Sequence, residues 1–310
     1  MLERAVALGS STVGVRDVTR GTEHTYGQVY DRVRNIASSL AAASSGGATA
    51  LRQVRIGVLC RNSAVVYELH FAAAGLRSVV LNLNTGLVAA EHGFILGDAS
   101  PHWLVVDTEY APVVADILAG GHWDGAQAAL SLGGIVWVSP SEAEDAALSL
   151  PLTRGAPFTV AEYTYTQMVA GTLPGFAPLA LPVGPASPSD GYQMYYTSGT
   201  TGFPKGVVLS NKIVTMHALG AAAEFSITGR DVWGHFAPMF HLVDAFAIYV
   251  ITWVGGTHII SRTFDPLGAL GIVSDHRVSI TNFASTMVTM MMSLPATMLE
   301  PLDLTSMRLM

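Results

Sequence analysis

Cysteine is almost missing from this chain of 310 residues: Cys60 is its single thiol, so no intrachain disulfide can form. It follows Ile56-Gly57-Val58-Leu59, an apolar run that reads as core, and the usage fits a reducing compartment. Charge is scarce too. Asp, Glu, Lys and Arg make up 13% of the residues against 50% hydrophobic ones, which excludes a disordered chain and implies much interior. Positive charge is the scarcer sign, and a net charge of −7 argues against nucleic acid as the partner. Long hydrophobic runs are absent. The most apolar stretch, Ala245 to Val254, is fenced by Asp244 and Gly255-Gly256 and is too short to span a bilayer. Met1 to Ser10 lacks the charged start, apolar core and cleavage site of a signal peptide. A soluble chain is expected.

Several catalytic signatures are also missing. The ten histidines include no His-Glu-x-x-His pair and no zinc-site spacing with cysteine, so no metal ligands are assigned. His235 and His241 flank Phe236 to Phe240, but as a metal pair they are a poor match. No Gly-x-Ser-x-Gly elbow is present, which removes the serine-hydrolase reading. The cluster Met287, Met290, Met291 and Met292 reads as soft core packing.

What is present is the run Tyr195-Tyr196-Thr197-Ser198-Gly199-Thr200-Thr201-Gly202-Phe203-Pro204-Lys205-Gly206. Hydroxyls and backbone N–H groups donate to phosphate oxygens, and glycine lets the backbone approach closely. Lys205 adds a mobile point charge. The run reads as a polyphosphate cradle spanning Thr197 to Gly206. It is not a P-loop, because Pro204 precedes Lys205 and Gly206 follows it. Nor is it the dinucleotide fingerprint, because Thr200-Thr201-Gly202 follows Gly199.

Helical and strand patterns alternate along the chain, which argues for an α/β fold. Thr25 is expected to cap a helix with Val29, Val33, Ile36, Ala37 and Leu40 on one face. Arg55 to Cys60 reads as a strand, and Asn62 or Ser63 as the cap of a helix reaching about Gly75. Further strands are expected at Val79 to Leu83, Trp103 to Val106, Ile135 to Val138 and Tyr192 to Thr197, and a helix around Ala89 to Leu96. Ser210 is expected to cap a helix to about Glu224. A strand, the phosphate loop and that helix in order would bring a helix dipole to the loop. Pro174, Pro178, Pro182, Pro185 and Pro188 make 171–190 an extended connection. The expected organisation is one αβ subdomain over 1–170, that connection, and a second αβ subdomain over 191–310.

The phosphate run resembles the signature loop of the adenylate-forming superfamily, which includes acyl-CoA synthetases, aryl-CoA ligases, luciferases and the adenylation domains of peptide synthetases. Ala237-Pro238-Met239-Phe240-His241 is similar to the family's Pro-x-aromatic-His segment, which lines the acid pocket. Gly255-Gly256-Thr257, Phe264-Asp265-Pro266 and Asp303 to Arg308 fall where the family has similar elements. Thr25-Tyr26, Arg61 to Ala72 and Leu83-Asn84-Thr85 look most like acyl-activating enzymes. The resemblance implies the N-terminal large domain of the adenylate-forming fold, built of two packed αβ subdomains. It also implies ATP, Mg²⁺ carried by the triphosphate, and CoA as co-substrate to a small carboxylic acid, fatty or aromatic. Thr197 to Gly206 would hold the β- and γ-phosphates, with Lys205, Thr200 and His241 as catalytic residues. Phe240, His241 and Asp244 would border the acid pocket.

Three positions depart from the family. Arg77 and Asp244 stand where glycine is usual, and Asn211 where histidine is frequent. A carboxylate at Asp244 would repel an anionic substrate. Beyond Met310 the family continues into adenine-binding, magnesium-binding and hinge segments and a C-terminal lysine, so the chain is expected to be an N-terminal piece. Two other readings stay open: a non-catalytic nucleotide-binding module, and a peptide-synthetase adenylation domain. The resemblance implies a cytoplasmic or peroxisomal protein and leaves the oligomeric state open.

Overall fold

In the computed structural model, which describes residues 1–119, 132–153, 160–197 and 203–310, the short apolar runs become strands of two sheets. In chain order the strands are β1 (Val13–Asp17), β2 (Thr22–Thr25), β3 (Arg55–Leu59), β4 (Val79–Asn82), β5 (Trp103–Asp107) and β6 (Gly134–Val138). They continue as β7 (Glu162–Thr164), β8 (Gly191–Thr197), β9 (Lys205–Ser210), β10 (Val232–His235), β11 (Thr257–Ile260) and β12 (Ile280–Thr281). The chain divides into two compact units. One takes residues 1–30, 61–67 and 214–310, and the other takes 31–60 and 68–213.

The second unit holds a seven-stranded sheet of order β7-β6-β5-β3-β4-β8-β9. Its neighbouring strands run parallel except the last pair, β8 and β9, which are antiparallel. Parallel strands need helices on both faces, and β4, β5 and β6 are accordingly buried along their whole length. Leu81, Leu104, Val106, Ile135 and Trp137 pack with Ile95 and Leu96 of the helix Ala89–Ala99 and with Val114 and Ile117 of the helix Ala111–Leu118. Each such side chain contributes about 1.5–3 kcal/mol by leaving water.

The first unit holds a five-stranded sheet of order β12-β10-β11-β1-β2. β1 pairs in parallel with β11, placing Val15 opposite His258, and antiparallel with β2. The opening strands of the chain thus belong with its last hundred residues and not with 31–170, as the expected partition had it. Nor does the boundary at 171–190 coincide with the division into units. That stretch carries no helix or strand, as its prolines predict, but it is stitched along the second unit. The Leu179 amide donates to Ser38 Oγ at 3.0 Å and the Val183 amide to the Gly75 carbonyl at 2.8 Å.

Helix ends follow their caps. Thr25 and Gln28 form a reciprocal pair at the start of the helix Tyr26–Ala42, and Val29, Val33, Ile36, Ala37 and Leu40 are all buried. Ser210 Oγ accepts from the Ile213 amide at the start of the helix Asn211–Glu224. Asn62 does not cap the helix Ala64–Leu76. Asp17 does, its Oδ2 accepting from the Ala64 amide at 2.9 Å.

Arg77 sits at φ +61°, a left-handed conformation that costs an ordinary residue about 1–2 kcal/mol. What it gains is a buried ion pair: its guanidinium donates to Asp190 Oδ2 at 3.1 and 2.5 Å. That bond, followed by the Ser187 amide, holds the Asp190 carboxyl below its ordinary pKa.

The most apolar stretch of the sequence lies in the helix Leu242–Val254, where Ala245 and the run from Ala247 to Thr252 are buried. Among the described residues, no helix is long and apolar enough to cross a membrane.

Candidate functional site

The phosphate run lies in a hairpin. β8 carries Tyr195, Tyr196 and Thr197 outward, and β9 returns from Lys205, with Thr197 and Lys205 as register partners. Ser198, Gly199, Thr200, Thr201 and Gly202 lie outside the described residues. Phe203, Lys205 and Gly206 are exposed, and Pro204 is half-buried. Lys205 therefore stands at the root of the loop with its ammonium open to a ligand.

The expected succession of strand, loop and helix is corrected here. Lys205 to Ser210 is itself a strand, because every residue of β9 stands in antiparallel register with a residue of β8. The helix Asn211–Glu224 begins at the far end of β9, roughly 20 Å from Lys205 at about 3.3 Å per residue. A helix-end field falls off within a turn, so this helix does not assist the loop.

One helix anchors both sides of the hairpin. The Tyr196 hydroxyl donates to the carboxylate of Asp98, and the ring of Phe203 stacks on Phe94 at 5.4 Å and 24°. Phe94 and Asp98 are four residues apart on the helix Ala89–Ala99, hence on one face. Burial and, after it, the Asp98 carboxylate push the Tyr196 phenol above its ordinary pKa, so it remains a donor. The chain packs closely at Gly206: a Cβ there would lie 2.3 Å from Met194 Cε, the movable end of a flexible side chain, and 3.1 Å from the Tyr196 ring. The hairpin's root is held by the β8–β9 ladder and by these side chains, which leaves the exposed Lys205 for a ligand.

The histidine segment is built in the other unit. Asn62 braces it through its carboxamide. Nδ2 donates to the carbonyls of His235 at 3.3 Å and Ala237 at 2.8 Å, and Oδ1 accepts from the Met239 amide at 2.7 Å. Phe240 and His241 follow, their ring centres 4.5 Å apart. His241 occupies the N-cap position of the helix Leu242–Val254 without making a side-chain cap bond, and it is exposed. Partial desolvation lowers its pKa below 6.5, so the imidazole is neutral at pH 7. A neutral ring beside an aromatic face can accept or donate one hydrogen bond without a fixed charge.

Asp244 is the second correction. It is fully buried, and both of its oxygens are engaged: Oδ1 accepts from Trp233 Nε1 at 3.3 Å, and Oδ2 meets His235 Nδ1 at 2.6 Å. It sits three positions past His241 but turns into the sheet, so it presents no charge beside His241. His235 is likewise occupied by Asp244 and lies buried while His241 is exposed. The structure does not pair these two histidines. Sequence reasoning missed Asn62 as a brace, because an Asn before a helix reads as a cap. It also missed His258 and Thr252, which join His235 beneath the helix.

The family model described as AMP-binding enzyme matches residues 2–310. An acetate–CoA ligase of Humulus lupulus is 28% identical over 90% of this chain and 46% of its own length. A long-chain-fatty-acid–CoA ligase of Thermus thermophilus is 27% identical over 90% of this chain and 46% of its own. The chain thus spans about half the length of these curated relatives. Among solved structures, a fatty acyl-CoA synthetase of Mycobacterium tuberculosis superposes with a TM-score of 0.74 at 23% identity, covering 99% of this chain and 52% of that one. The ATP-bound MatB of Rhodopseudomonas palustris superposes at 0.72 and 22% identity, covering 95% and 51%. These superpositions carry the α/β fold, that of the N-terminal part of acyl-CoA synthetases. The chain belongs to the AMP-binding enzyme family.

Proposed function

We propose that this chain forms the part of an ATP-dependent acid–CoA ligase that grips the nucleotide's triphosphate and borders the acid. The observation that carries the reading is the hairpin of β8 and β9, which delivers Thr197 and the free ammonium of Lys205 to the two roots of the hydroxyl-rich loop. In the first half-reaction a carboxylate oxygen attacks the α-phosphorus of ATP and pyrophosphate departs, leaving an acyl-adenylate. Negative charge grows on the leaving oxygens. Lys205 and the loop's donors would meet it at fixed positions, and such pre-placed charge is where most of the acceleration arises. Magnesium would enter with the triphosphate.

In the second half-reaction the CoA thiol attacks the acyl carbon and AMP leaves. Phe240 and His241 would line the route of acid and thiol. Because Asp244 is turned inward, its carboxylate does not oppose an anionic substrate beside His241. Relatives named for acetate and for long-chain fatty acids match equally well, so the acid is to be read from an assay.

The test is ATP–pyrophosphate exchange over acids from acetate to long-chain and aromatic ones, with Lys205→Ala alongside. Acid-dependent exchange that falls ten- to hundredfold in the variant supports the reading, in line with about 1.5–3 kcal/mol for one charge-assisted bond. Exchange unaffected by the substitution would remove Lys205 from the role.

A further inference from the structure

Beneath the helix that follows His241 lies a chain of buried polar side chains. Asp244 Oδ2 meets His235 Nδ1 at 2.6 Å, and His235 Nε2 meets His258 Nδ1 at 3.0 Å. His258 Nε2 meets Thr252 Oγ1 at 3.0 Å, and Thr252 Oγ1 meets the Tyr67 hydroxyl at 2.7 Å. Asp244, His235, His258, Thr252 and Tyr67 are all fully buried, and the two imidazoles stack at 5.3 Å and 14°. The chain is placed by the fold's periodicities. Trp233 and His235 alternate onto one face of β10, with His258 on β11 opposite Trp233. Asp244 and Thr252 are two turns apart on the helix they share.

Such a chain has a direction, and its first member dictates it. Trp233 Nε1–H is a donor and nothing else, and a carboxylate only accepts. Asp244 therefore accepts from Trp233 on one oxygen and from His235 Nδ1–H on the other. The hydroxyls of Thr252 and Tyr67 can each donate or accept, and a histidine free in water prefers its proton on Nε2.

We propose that Asp244 is a positioning residue: its carboxylate imposes the Nδ1–H form on buried His235, and the hydrogen-bonded chain so ordered locks the first turn of the helix behind Phe240 and His241 onto the sheet. The meaning given to Phe240 and His241 rests on the function proposed above, whereas the locking does not. Burial and the neighbouring His235 push His258 well below its ordinary pKa, which makes it a neutral link with one donor and one acceptor.

The isosteric change Asp244→Asn gives a sharp test. The amide oxygen must face Trp233, which cannot accept, so the amide NH₂ faces His235 Nδ1. His235 is then forced to carry its proton on Nε2 alone and to donate to His258 Nδ1, and His258 in turn donates from Nε2 to Thr252.

The experiment is ¹⁵N NMR of the histidine-labelled chain, with no acid or nucleotide added, so its failure is distinct from a failure of the proposed function. In the unsubstituted protein His235 shows a protonated Nδ1. In Asp244→Asn it shows the Nε2–H form, and the backbone amide signals of Phe240 and His241 shift. An unprotonated Nδ1 in the unsubstituted protein overturns the proposal outright. So does an Asp244→Asn spectrum in which His235 keeps its Nδ1 proton, or in which the Phe240 and His241 amides stay in place. Should that variant not fold, Thr252→Val cuts the far end only: His235 keeps its Nδ1 proton while the His258 Nε2 signal moves, and loss of the His235 proton there overturns the proposal.

Discussion

The two sheets present functional side chains by opposite means. In the seven-stranded unit the core beneath the phosphate hairpin is apolar, and the hairpin is tethered at its root by Tyr196 on Asp98 and Phe203 on Phe94. In the five-stranded unit the segment bearing Phe240 and His241 is held from within by polar groups, Asn62 on one side and the Asp244–His235 pair on the other. An apolar core tolerates exchange of one hydrocarbon for another, while a buried polar chain fails when any one partner is taken away. The first arrangement fixes the root of the hairpin while leaving Lys205 exposed. The second suits a pocket wall whose direction has to be fixed.

Substitutions sharpen that contrast. Asp244→Ala leaves His235 and Trp233 without their acceptor and is expected to cost about 4 kcal/mol, as breaking a buried pair does. The double change Asp244→Leu with His235→Leu is expected to recover part of that loss, since His235 is no longer stranded while Trp233 Nε1 and His258 Nδ1 still lack their partners. Urea unfolding midpoints read both. A double variant no better than the single one would mean the pair is worth more than hydrocarbon at this place. In the apolar unit, Leu104→Ala is expected to cost about 3 kcal/mol through the cavity it leaves, and no second substitution nearby should rescue it.

The hairpin responds differently. Lys205→Ala should leave the urea midpoint unchanged, because the side chain is exposed, while weakening ATP by ten- to hundredfold. A large fall in stability would show that Lys205 is part of the fold's scaffold.

Arg77 gives the smallest effect. Arg77→Gly loses the Asp190 pair but relieves the left-handed backbone, so it should be more stable than Arg77→Ala by about 1 kcal/mol. The Asp190 pKa is lowered in the folded state, so the stability it confers is present above the ordinary carboxylate pKa. It is lost as the pH falls through the lowered folded value. Acid titration of stability should therefore be steeper in the unsubstituted protein than in Arg77→Gly, and equal slopes would separate Asp190 from Arg77.

Much of this was legible in the residues. Strands β3 to β6 and the helices capped by Thr25 and Ser210 follow from apolar runs and caps, because local chemistry decides them. The partition did not follow, since β1 pairs with β11 across more than two hundred residues and nothing near Val15 announces His258. The strand character of Lys205 to Ser210 was hidden by its exposure: an edge strand with both faces wet lacks the alternation that marks a strand. Asp244 was misjudged because its neighbour His241 faces outward, and only the helical turn reveals that a residue three positions on faces in. Arg77 was visible as a departure from glycine, but its partner Asp190 lies more than a hundred residues away.

The central claim is that the hairpin root from Thr197 to Gly206 grips a nucleotide's triphosphate. Calorimetric titration of the protein and of Lys205→Ala with ATP and magnesium tests it most directly. The account predicts saturable binding that weakens ten- to hundredfold in the variant at unchanged stability. Equal affinity in both proteins, or no binding by folded unsubstituted protein, would contradict it.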